Sequence, residues 1–306
     1  MTAIDTAPLV SVIINCFNGE QYLKQALDSI YHQSYSNFEI IFWDNRSTDK
    51  SKEIASGFDD RLKYYLAPEH TGLGAARDSA IQLACGEFIC FLDVDDIFSE
   101  GRLQTQVAFM KKNNLCFSYG SYAEINQHGT VTKRHVVTQS VGDRLEEQLF
   151  RYRICMHTVM MRRDLFDFDW CFFDQNLVHS PDANLFYKIL AKYPVGSLKN
   201  NLAFYRIHDK QQTKKMLHVI GKEAKLNIDS LIDFAPETII KYRRAVDWAY
   251  AKVHFYDTVG YVQQKNYRAA VSEVKLVIDK SIYYKMLYIL IFFRVPSSII
   301  LRLLSR

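Results

Sequence analysis

The sequence lacks both a CxxC pair and a secretory signal. Its six cysteines include no CxxC pair and mostly lie in apolar stretches, where a thiol behaves as a small hydrophobic group, so we expect reduced, structural cysteines. The segment Met1 to Pro8 has no basic region followed by an apolar one, so we expect no secretory signal and a cytoplasmic location. Hydrophobic residues make up 48% of the chain, which excludes a disordered protein and favours a globular enzyme.

Acidic residues are scarce in the last third of the chain. Up to residue 200 there are 20 basic and 25 acidic residues, and after it 18 basic and 9 acidic, so the net charges are −5 and +9. This asymmetry favours an anionic partner for the C-terminal part, either a membrane surface or nucleic acid, although a solvated helical surface is an alternative. Because the positive charge is diffuse and no aromatic-basic module is present, we expect no nucleic-acid partner.

No apolar run near the C-terminus is as long as a membrane span. From Met216 onward the apolar residues follow helical spacing, which predicts a helical region, 216–306. Its last part, residues 281–306, has two short apolar runs and no acidic residue. The charged residues of this part are Lys285, Arg294, Arg302 and Arg306. This composition favours an anionic membrane surface, and packing on the body of the protein or on a second subunit of a homo-oligomer is the alternative.

Buried strands alternate with helices in the first hundred residues. Continuous apolar runs predict the strands, and apolar residues at helical spacing predict the helices between them, the first of them capped by Asn18. The predicted strands are 9–15, 38–43, 62–66 and 88–92. This alternation predicts an α/β protein with a mostly parallel sheet flanked by helices. Beyond Ser99 the pattern is mixed, with extended segments near 115–125, 130–137, 154–161 and 198–206 and a helix that begins at Pro181.

An acidic cluster, Asp93-Val94-Asp95-Asp96, directly follows the fourth predicted strand. This position is the carboxyl edge of a parallel sheet, where α/β proteins bind ligands. Crowded carboxylates repel one another unless a cation lies between them, and oxygen ligands favour Mg²⁺ or Mn²⁺. A simple solvated turn is the alternative. The glycine loop before Arg77 brings a guanidinium to the same edge, and a guanidinium with a metal suits a phosphorylated ligand.

Three segments together resemble glycosyltransferase family 2, a group of inverting enzymes with the GT-A fold. They are residues 11–51 (beginning SVIINCFNG), residues 70–96 (HTGLGAARD to FLDVDD), and SPDANLFYKIL followed by YRIHDKQQT. The resemblance covers about residues 9 to 213 and implies a GT-A domain over 1–215. Within it, 1–98 would bind the nucleotide sugar and 99–215 the acceptor, with the helical region 216–306 as a C-terminal extension.

The resemblance also implies roles for particular residues. The nucleotide would be bound by Asn15, Phe17, Asn18, Asp44, Arg77 and Asp93. A divalent metal, Mn²⁺ or Mg²⁺, would be bound by Asp95 and His208, and Asp182 would be the general base, whereas the role of Asp96 stays open between metal ligand and turn residue. The family's usual Asp-Asp-Gly-Ser is Asp44-Asn45-Arg46-Ser47 here, a departure that bears on the choice of base and sugar.

The implied reaction is a single displacement that transfers a sugar from a nucleotide-sugar donor, by family habit a UDP-sugar, to an acceptor hydroxyl. A saccharide or lipid-linked saccharide of a bacterial surface polymer is the expected acceptor, and the inner face of the cell membrane the expected place. A dinucleotide-dependent oxidoreductase is disfavoured because Arg77 stands where GxGxxG needs its third glycine. A nucleotidyltransferase is disfavoured because residues 15–18 form no basic glycine loop. Non-catalytic binding of a nucleotide sugar or glycan remains the alternative.

Overall fold

The chain divides into two compact units in a computed structural model that describes residues 7–209, 219–295 and 299–300. The first, here called the sheet unit, comprises Met1–Arg144 and Arg153–His208; the second, the helical unit, comprises Leu145–Tyr152 and Asp209–Arg306. Residues 210–213 of the resemblance, and the basic residues Arg302 and Arg306, lie outside the described residues.

Strands and helices follow one another along the described chain. The strands are β1 (Val10–Cys16), β2 (Phe38–Asp44), β3 (Leu62–Leu66), β4 (Phe88–Phe91), β5 (Ile97–Phe98), β6 (Phe117–Asn126), β7 (Val131–His135), β8 (Ser140–Gly142), β9 (Met160–Arg162) and β10 (Val195–Ile207). The α-helices are α1 (Leu23–Tyr31), α2 (Ser51–Ala55), α3 (Leu73–Ile81), α4 (Arg102–Asn113), α5 (Leu145–Phe150), α6 (Pro181–Lys192), α7 (Ile220–Phe234), α8 (Glu237–Lys241), α9 (Arg243–Gln263), α10 (Tyr267–Lys275) and α11 (Ile282–Phe292). Short 3₁₀ turns occur at Met156–Thr158, Arg163–Asp167 and Ile278–Lys280.

The strands form one sheet in the order β3-β2-β1-β4-β9-β6-β10-β5. The first four are parallel, and β6 and β10 are parallel to each other. Strand β9 is antiparallel to both β4 and β6 and so joins the two parallel groups, while β5 pairs antiparallel with β10. The predicted α/β fold, with its mostly parallel sheet flanked by helices, is thereby confirmed.

The two faces of the sheet are covered by different helices. On one face Val12 and Ile14 of β1 pack in a buried cluster with Leu23 and Leu27 of α1, and α2 and α4 contribute to the same cluster. The other face of β1 and β2 is packed by α3. Because successive strand residues point to opposite faces, a strand covered on both sides is apolar at every position, which explains the continuous apolar runs.

The extended segment predicted for residues 154–161 is only partly extended. A 3₁₀ turn, Met156–Thr158, comes first, and the short strand β9 follows it. Two buried side chains of α4 hold this turn: Gln106 Nε2 donates to the Thr158 carbonyl at 2.8 Å, and Arg102 Nη2 donates to the Val159 carbonyl at 2.9 Å. The turn therefore owes its shape to tertiary contacts that local periodicity does not encode.

Apolar packing between helices forms a core in the helical unit. Ala251 and Val262 of α9 pack in one buried cluster with Ala270 and Val274 of α10, and Leu287 of α11 joins them. No helix among the described residues is both long enough and apolar enough to cross a bilayer.

Candidate active site

The carboxyl edge of the sheet gathers most of the residues singled out from the sequence. Strands β1, β2 and β4 run parallel, so the segments that follow them reach the same edge. Asp93 to Asp96 form the turn between β4 and β5, in which the Asp96 N–H donates to the Asp93 carbonyl at 3.1 Å. His208 follows β10 directly.

Two donor groups near the end of this edge lack a partner among the described residues. Asn15 Nδ2 on β1 and Trp43 Nε1 on β2 are both buried and make no hydrogen bond there. The two residues are aligned in the parallel pairing of β1 with β2. Since a buried donor without an acceptor is costly, both groups are suited to a polar ligand. Asn15 was predicted here from the sequence, and Trp43 was not.

The loop after β1 is held by the loop after β2. Asn18 has a positive φ of 54°, and its side chain accepts a hydrogen bond from the Thr48 N–H at 2.8 Å. The prediction that Asn18 caps the first helix is therefore wrong, because α1 begins only at Leu23. Phe17 is half exposed, and its ring centroid lies 4.3 Å from that of His70. The planes of the two rings are tilted by 52°, so the exposed pair offers aromatic ring faces but no flat surface.

Asp44 is buried, with 1% of its surface exposed. Its Oδ1 accepts from the Ser47 N–H at 2.7 Å, and its Oδ2 accepts from the Tyr64 hydroxyl at 2.6 Å. The next residue, Asn45, donates to the Thr71 carbonyl at 2.8 Å and so ties this loop to the glycine loop before α3. Asp44 was predicted to contact the nucleotide base. In the structure its hydrogen bonds shape the loop after β2.

Arg77 on α3 pairs with one of the predicted acidic residues and influences the pKa of another. Its Nη2 is 3.4 Å from Asp93 Oδ1, and its guanidinium lies 5.6 Å from the Phe173 ring centroid. Its charge also acts on Asp182 at the start of α6: burial raises the pKa of Asp182, and Arg77 offsets part of that rise. One buried guanidinium therefore interacts with both Asp93 and Asp182.

Asp95 and His208 are brought together from sequence positions more than a hundred residues apart. Asp95 Oδ2 lies 2.9 Å from His208 Nε2, and both side chains keep some exposure, 25% and 13%. Adjacent ligands of an octahedral Mg²⁺ or Mn²⁺ ion stand about 3 Å apart when each bond is about 2.1 Å. The separation and the oxygen and nitrogen donors therefore fit a shared divalent ion.

A second acidic group contains a histidine that sequence reasoning missed. Asp93, Asp96 and His157 offer donor atoms within 4.8 Å of one another. His157 Nε2 is 2.7 Å from Asp96 Oδ2 and 3.7 Å from Asp93 Oδ2, while Asp96 Oδ1 accepts from the Arg206 N–H at 2.7 Å. Asp96 Oδ1 therefore accepts a backbone hydrogen bond, whereas Asp96 Oδ2 faces His157 as an ion pair without a hydrogen bond. The sequence held one sign of a role for His157, which is its place in an apolar segment. A buried polar side chain needs polar partners, so a histidine in such a segment indicates a nearby polar group.

Electrostatics make Asp96 and His157 a buried ion pair. Burial raises the pKa of Asp96 to about 6, although His157 acts to lower it. Burial by itself would lower the pKa of His157, but Asp96 and Asp93 outweigh burial and raise it to about 9. In the absence of a metal ion, the nearby carboxylates thus favour a charged imidazole.

The sequence model of the family described as Glycosyl transferase family 2 matches residues 11–168, slightly more than half of the chain. The chain belongs to glycosyltransferase family 2. Among curated relatives, this glycosyltransferase is 30% identical over 239 residues to the UDP-Glc:alpha-D-GlcNAc-diphosphoundecaprenol beta-1,3-glucosyltransferase WfgD of Escherichia coli. The alignment covers 76% of this chain and 89% of WfgD.

Two solved structures share the fold. One is TarS of S. aureus in complex with UDP-GlcNAc, with a TM-score of 0.60 at 17% identity, covering 94% of this chain and 90% of that chain. The other is the mannosyltransferase PcManGT of Pyrobaculum calidifontis in complex with GDP-Man and Mn²⁺, with a TM-score of 0.63 at 13% identity, covering 96% and 87%. The predicted family, the GT-A fold and the assignment as a hexosyltransferase enzyme are confirmed.

Proposed function

We propose that this family 2 enzyme transfers a sugar from a UDP-sugar to a hydroxyl of a saccharide or lipid-linked saccharide, with inversion at the anomeric carbon. The observation that carries the proposal is the buried guanidinium of Arg77, which pairs with Asp93 at 3.4 Å at the carboxyl edge of the sheet. A guanidinium there attracts a diphosphate, and its charge also acts on Asp182, the acid assigned to the acceptor.

Residues of the first loops bind the nucleotide part of the donor. Asn15 supplies its unpartnered Nδ2 donor, and Phe17 supplies an apolar ring face. Asn18 and Asp44 keep these loops in place through their hydrogen bonds, and the base lies against the surface thus formed. Asp93 is assigned to the ribose, at the point where Arg77 reaches it.

Asp182 is the general base toward the acceptor hydroxyl. It lies in the first turn of α6, and burial raises its pKa. A carboxylate with a raised pKa is a stronger proton acceptor than an exposed one, and the Arg77 charge offsets part of the rise. Attack by the activated hydroxyl from the face opposite the diphosphate inverts the anomeric carbon.

Asp95 and His208 hold the divalent ion in this proposal, and the ion, when bound, stabilises negative charge on the leaving diphosphate as a Lewis acid. Their 2.9 Å separation and their partial exposure support the assignment. The similarity in fold to a mannosyltransferase solved with Mn²⁺ supports the choice of metal.

The substrate class is supported by the names of similar proteins. WfgD is named for UDP-Glc and for a GlcNAc-diphosphoundecaprenol acceptor, and the TarS structure contains UDP-GlcNAc. Both donors are UDP-sugars, and the WfgD acceptor is lipid-linked. A UDP-hexose donor and a lipid-linked saccharide acceptor are therefore the substrates proposed here.

Thermal unfolding in the presence of Mn²⁺ with UDP-Glc, UDP-GlcNAc or GDP-Man tests the donor class. A ligand that binds only the folded state at about 100 times its Kd adds about 2.7 kcal/mol of stability. We expect a UDP-sugar to raise the melting temperature by several degrees and GDP-Man to have little effect. Stabilisation by GDP-Man alone would contradict the UDP assignment, and indifference to all three donors would contradict the proposed function.

The helical unit provides a surface for the membrane that carries such an acceptor. One side of α11 is buried through Tyr284, Leu287 and Ile291, whereas Tyr283 is 75% exposed and Phe293, just past its end, is 73% exposed. Other large side chains exposed on this helix are Ile282, Met286, Ile289 and Phe292. Since residues 281–306 contain four basic and no acidic side chains, an anionic lipid interface is the partner proposed for this face.

Sedimentation with vesicles tests this membrane surface. We expect wild-type protein to bind vesicles that contain phosphatidylglycerol, and Tyr283→Ser with Met286→Ser to weaken binding about 10-fold because apolar burial is lost. The matched control is Ile240→Ser, which removes an 87% exposed apolar side chain elsewhere in the helical unit and is expected to bind normally. Equal binding by all variants would contradict the surface, and a wild-type dimer that the double substitution dissociates would assign the face to a second copy.

A further inference from the structure

His157 is held in a fixed position from two sides. On the backbone side, Gln106 and Arg102 of α4 bind the carbonyls of Thr158 and Val159, as described above. On the ring side, the imidazole stacks on Tyr205 of β10, with centroids 5.7 Å apart and planes 15° from parallel. Burying the Arg102 guanidinium costs free energy. That such a group binds this turn indicates that the position of the turn is important for the protein.

The contacts of His157 lead toward the acidic turn. Its Nε2 faces Asp96 Oδ2 at 2.7 Å, and its Nδ1 has no hydrogen-bond partner in the described part of the chain. The other oxygen of Asp96 accepts from the Arg206 N–H at 2.7 Å. Through Nε2 the imidazole thus pairs with Asp96 at 2.7 Å and more distantly with Asp93 at 3.7 Å, and Asp96 lies between β10 and the 3₁₀ turn.

Arg206 binds both Asp96 and the neighbouring Asp95. Its Nε donates to the Asp95 carbonyl at 2.8 Å, and its Nη2 donates to Gln25 Oε1 of α1 at 2.6 Å. Its guanidinium also lies 4.5 Å from the Tyr22 ring centroid. The backbone that presents the Asp95 carboxylate is therefore fixed against α1 and β10.

We infer that His157 is a positioning residue of the donor site, which fixes Asp96 and, through Asp96 and Arg206, the turn that presents Asp93 and Asp95. His157 binds neither donor nor metal in this role. The inference rests on the proposed function, since metal and donor binding are its readouts. Residues that orient metal ligands typically change metal affinity or activity 10- to 100-fold when they are substituted, so the expected effect is measurable.

The test compares His157→Leu with His157→Gln, whose amide N–H is able to reach Asp96. Mn²⁺ binding is measured by electron paramagnetic resonance and UDP binding by calorimetry, both without turnover. We expect His157→Leu to weaken Mn²⁺ binding about 10- to 100-fold and His157→Gln to stay within about 3-fold of wild type. Val107→Ala, which removes apolar volume from the core on α4, is the control for lost stability alone and is expected to bind Mn²⁺ normally.

A double-mutant cycle separates this role from a purely structural one. If His157 acts through Asp96, Asp96→Asn should weaken Mn²⁺ binding as His157→Leu does, and the double variant should be little worse than either single variant. Additive losses, or wild-type Mn²⁺ affinity in His157→Leu, would overturn the inference. If His157→Leu does not fold, the other two variants decide. The inference is overturned if Asp96→Asn binds Mn²⁺ normally, or if His157→Gln folds but does not bind Mn²⁺.

The same measurements distinguish this inference from the proposed function. A wild-type protein that binds Mn²⁺ and UDP, with variants that bind equally well, would overturn the inference alone. A wild-type protein that binds neither Mn²⁺ nor UDP would overturn both. The exposed His128, in the turn between β6 and β7, supplies a further control, since His128→Leu should change neither affinity.

Discussion

Replacement of Asp182 by asparagine is expected to lower kcat about 10²- to 10⁴-fold, the range by which a positioned general base accelerates proton transfer. Asparagine has nearly the same shape but does not accept a proton from the acceptor hydroxyl. Donor binding should persist, because the proposed function assigns Asp182 to the acceptor and Asp93 and Arg77 to the donor. Initial rates at saturating donor, together with UDP calorimetry, measure both quantities.

The control for this substitution is Asp169→Asn, at an exposed position of the same unit. It removes the same charge and should leave kcat within about 2-fold of wild type, as surface substitutions usually do. Wild-type kcat in Asp182→Asn would contradict the assignment of the base. Loss of UDP binding in that variant would instead assign Asp182 to the donor.

The dependence of kcat on pH gives the same assignment a second readout. A general base works only when it is deprotonated, and burial holds the pKa of Asp182 above the ordinary range for aspartate. We therefore expect kcat to fall as the pH drops through this raised pKa. The low residual rate of Asp182→Asn should lack this acidic limb.

Replacement of Asp95 by asparagine is the second large effect that we expect. The substitution removes the charged member of the Asp95 and His208 pair and should lower kcat/KM about 10²- to 10³-fold, since Lewis-acid stabilisation contributes several kcal/mol and each 1.36 kcal/mol is a factor of ten. His208→Ala removes the imidazole donor but leaves the carboxylate, and should cost less. Excess Mn²⁺ should restore part of the activity of both variants, because the remaining ligand still binds weakly.

Asp60→Asn, at an exposed position in the sheet unit, is the matched control for loss of a carboxylate and should keep its Mn²⁺ requirement. Mn²⁺ binding by electron paramagnetic resonance gives a readout without turnover. If Asp95→Asn bound Mn²⁺ as tightly as wild type, the metal would have to be assigned to other donors, and Asp93 would be the next to test.

The first half of the fold was predictable because its strands and helices are encoded by the pattern of apolar residues along short segments. Strands β1, β2 and β4 are covered on both faces, and such strands are apolar at nearly every position, as in Phe38 to Trp43. The turn after β4 could be placed at the ligand-binding edge because parallel strands present their carboxyl ends together. The location of Asp93 and Asp95 at this edge follows from that rule alone.

The parts that the sequence left unclear depend on contacts between distant residues. The 3₁₀ turn with His157 is held by Arg102 and Gln106, more than 50 positions earlier, so the apolar stretch around it resembled a plain strand. Asn18 has the side chain of a helix cap, but its acceptor oxygen binds Thr48 in another loop. Tertiary hydrogen bonds determine both the shape of the turn and the conformation of Asn18, and local propensity is a weak guide to such conformations.

The pairing of β5 with β10 has a consequence for biosynthesis. Asp96 precedes β5 directly, yet the backbone N–H that fixes its carboxylate belongs to Arg206, on the strand that completes the sheet. Because chains emerge from the ribosome N-terminus first, an emerging chain that already contains β1 to β4 still lacks this partner. Such late, long-range pairing slows folding. Stalled nascent chains of increasing length could therefore be tested for Mn²⁺ or UDP binding. The length at which binding appears would show when β10 joins the sheet.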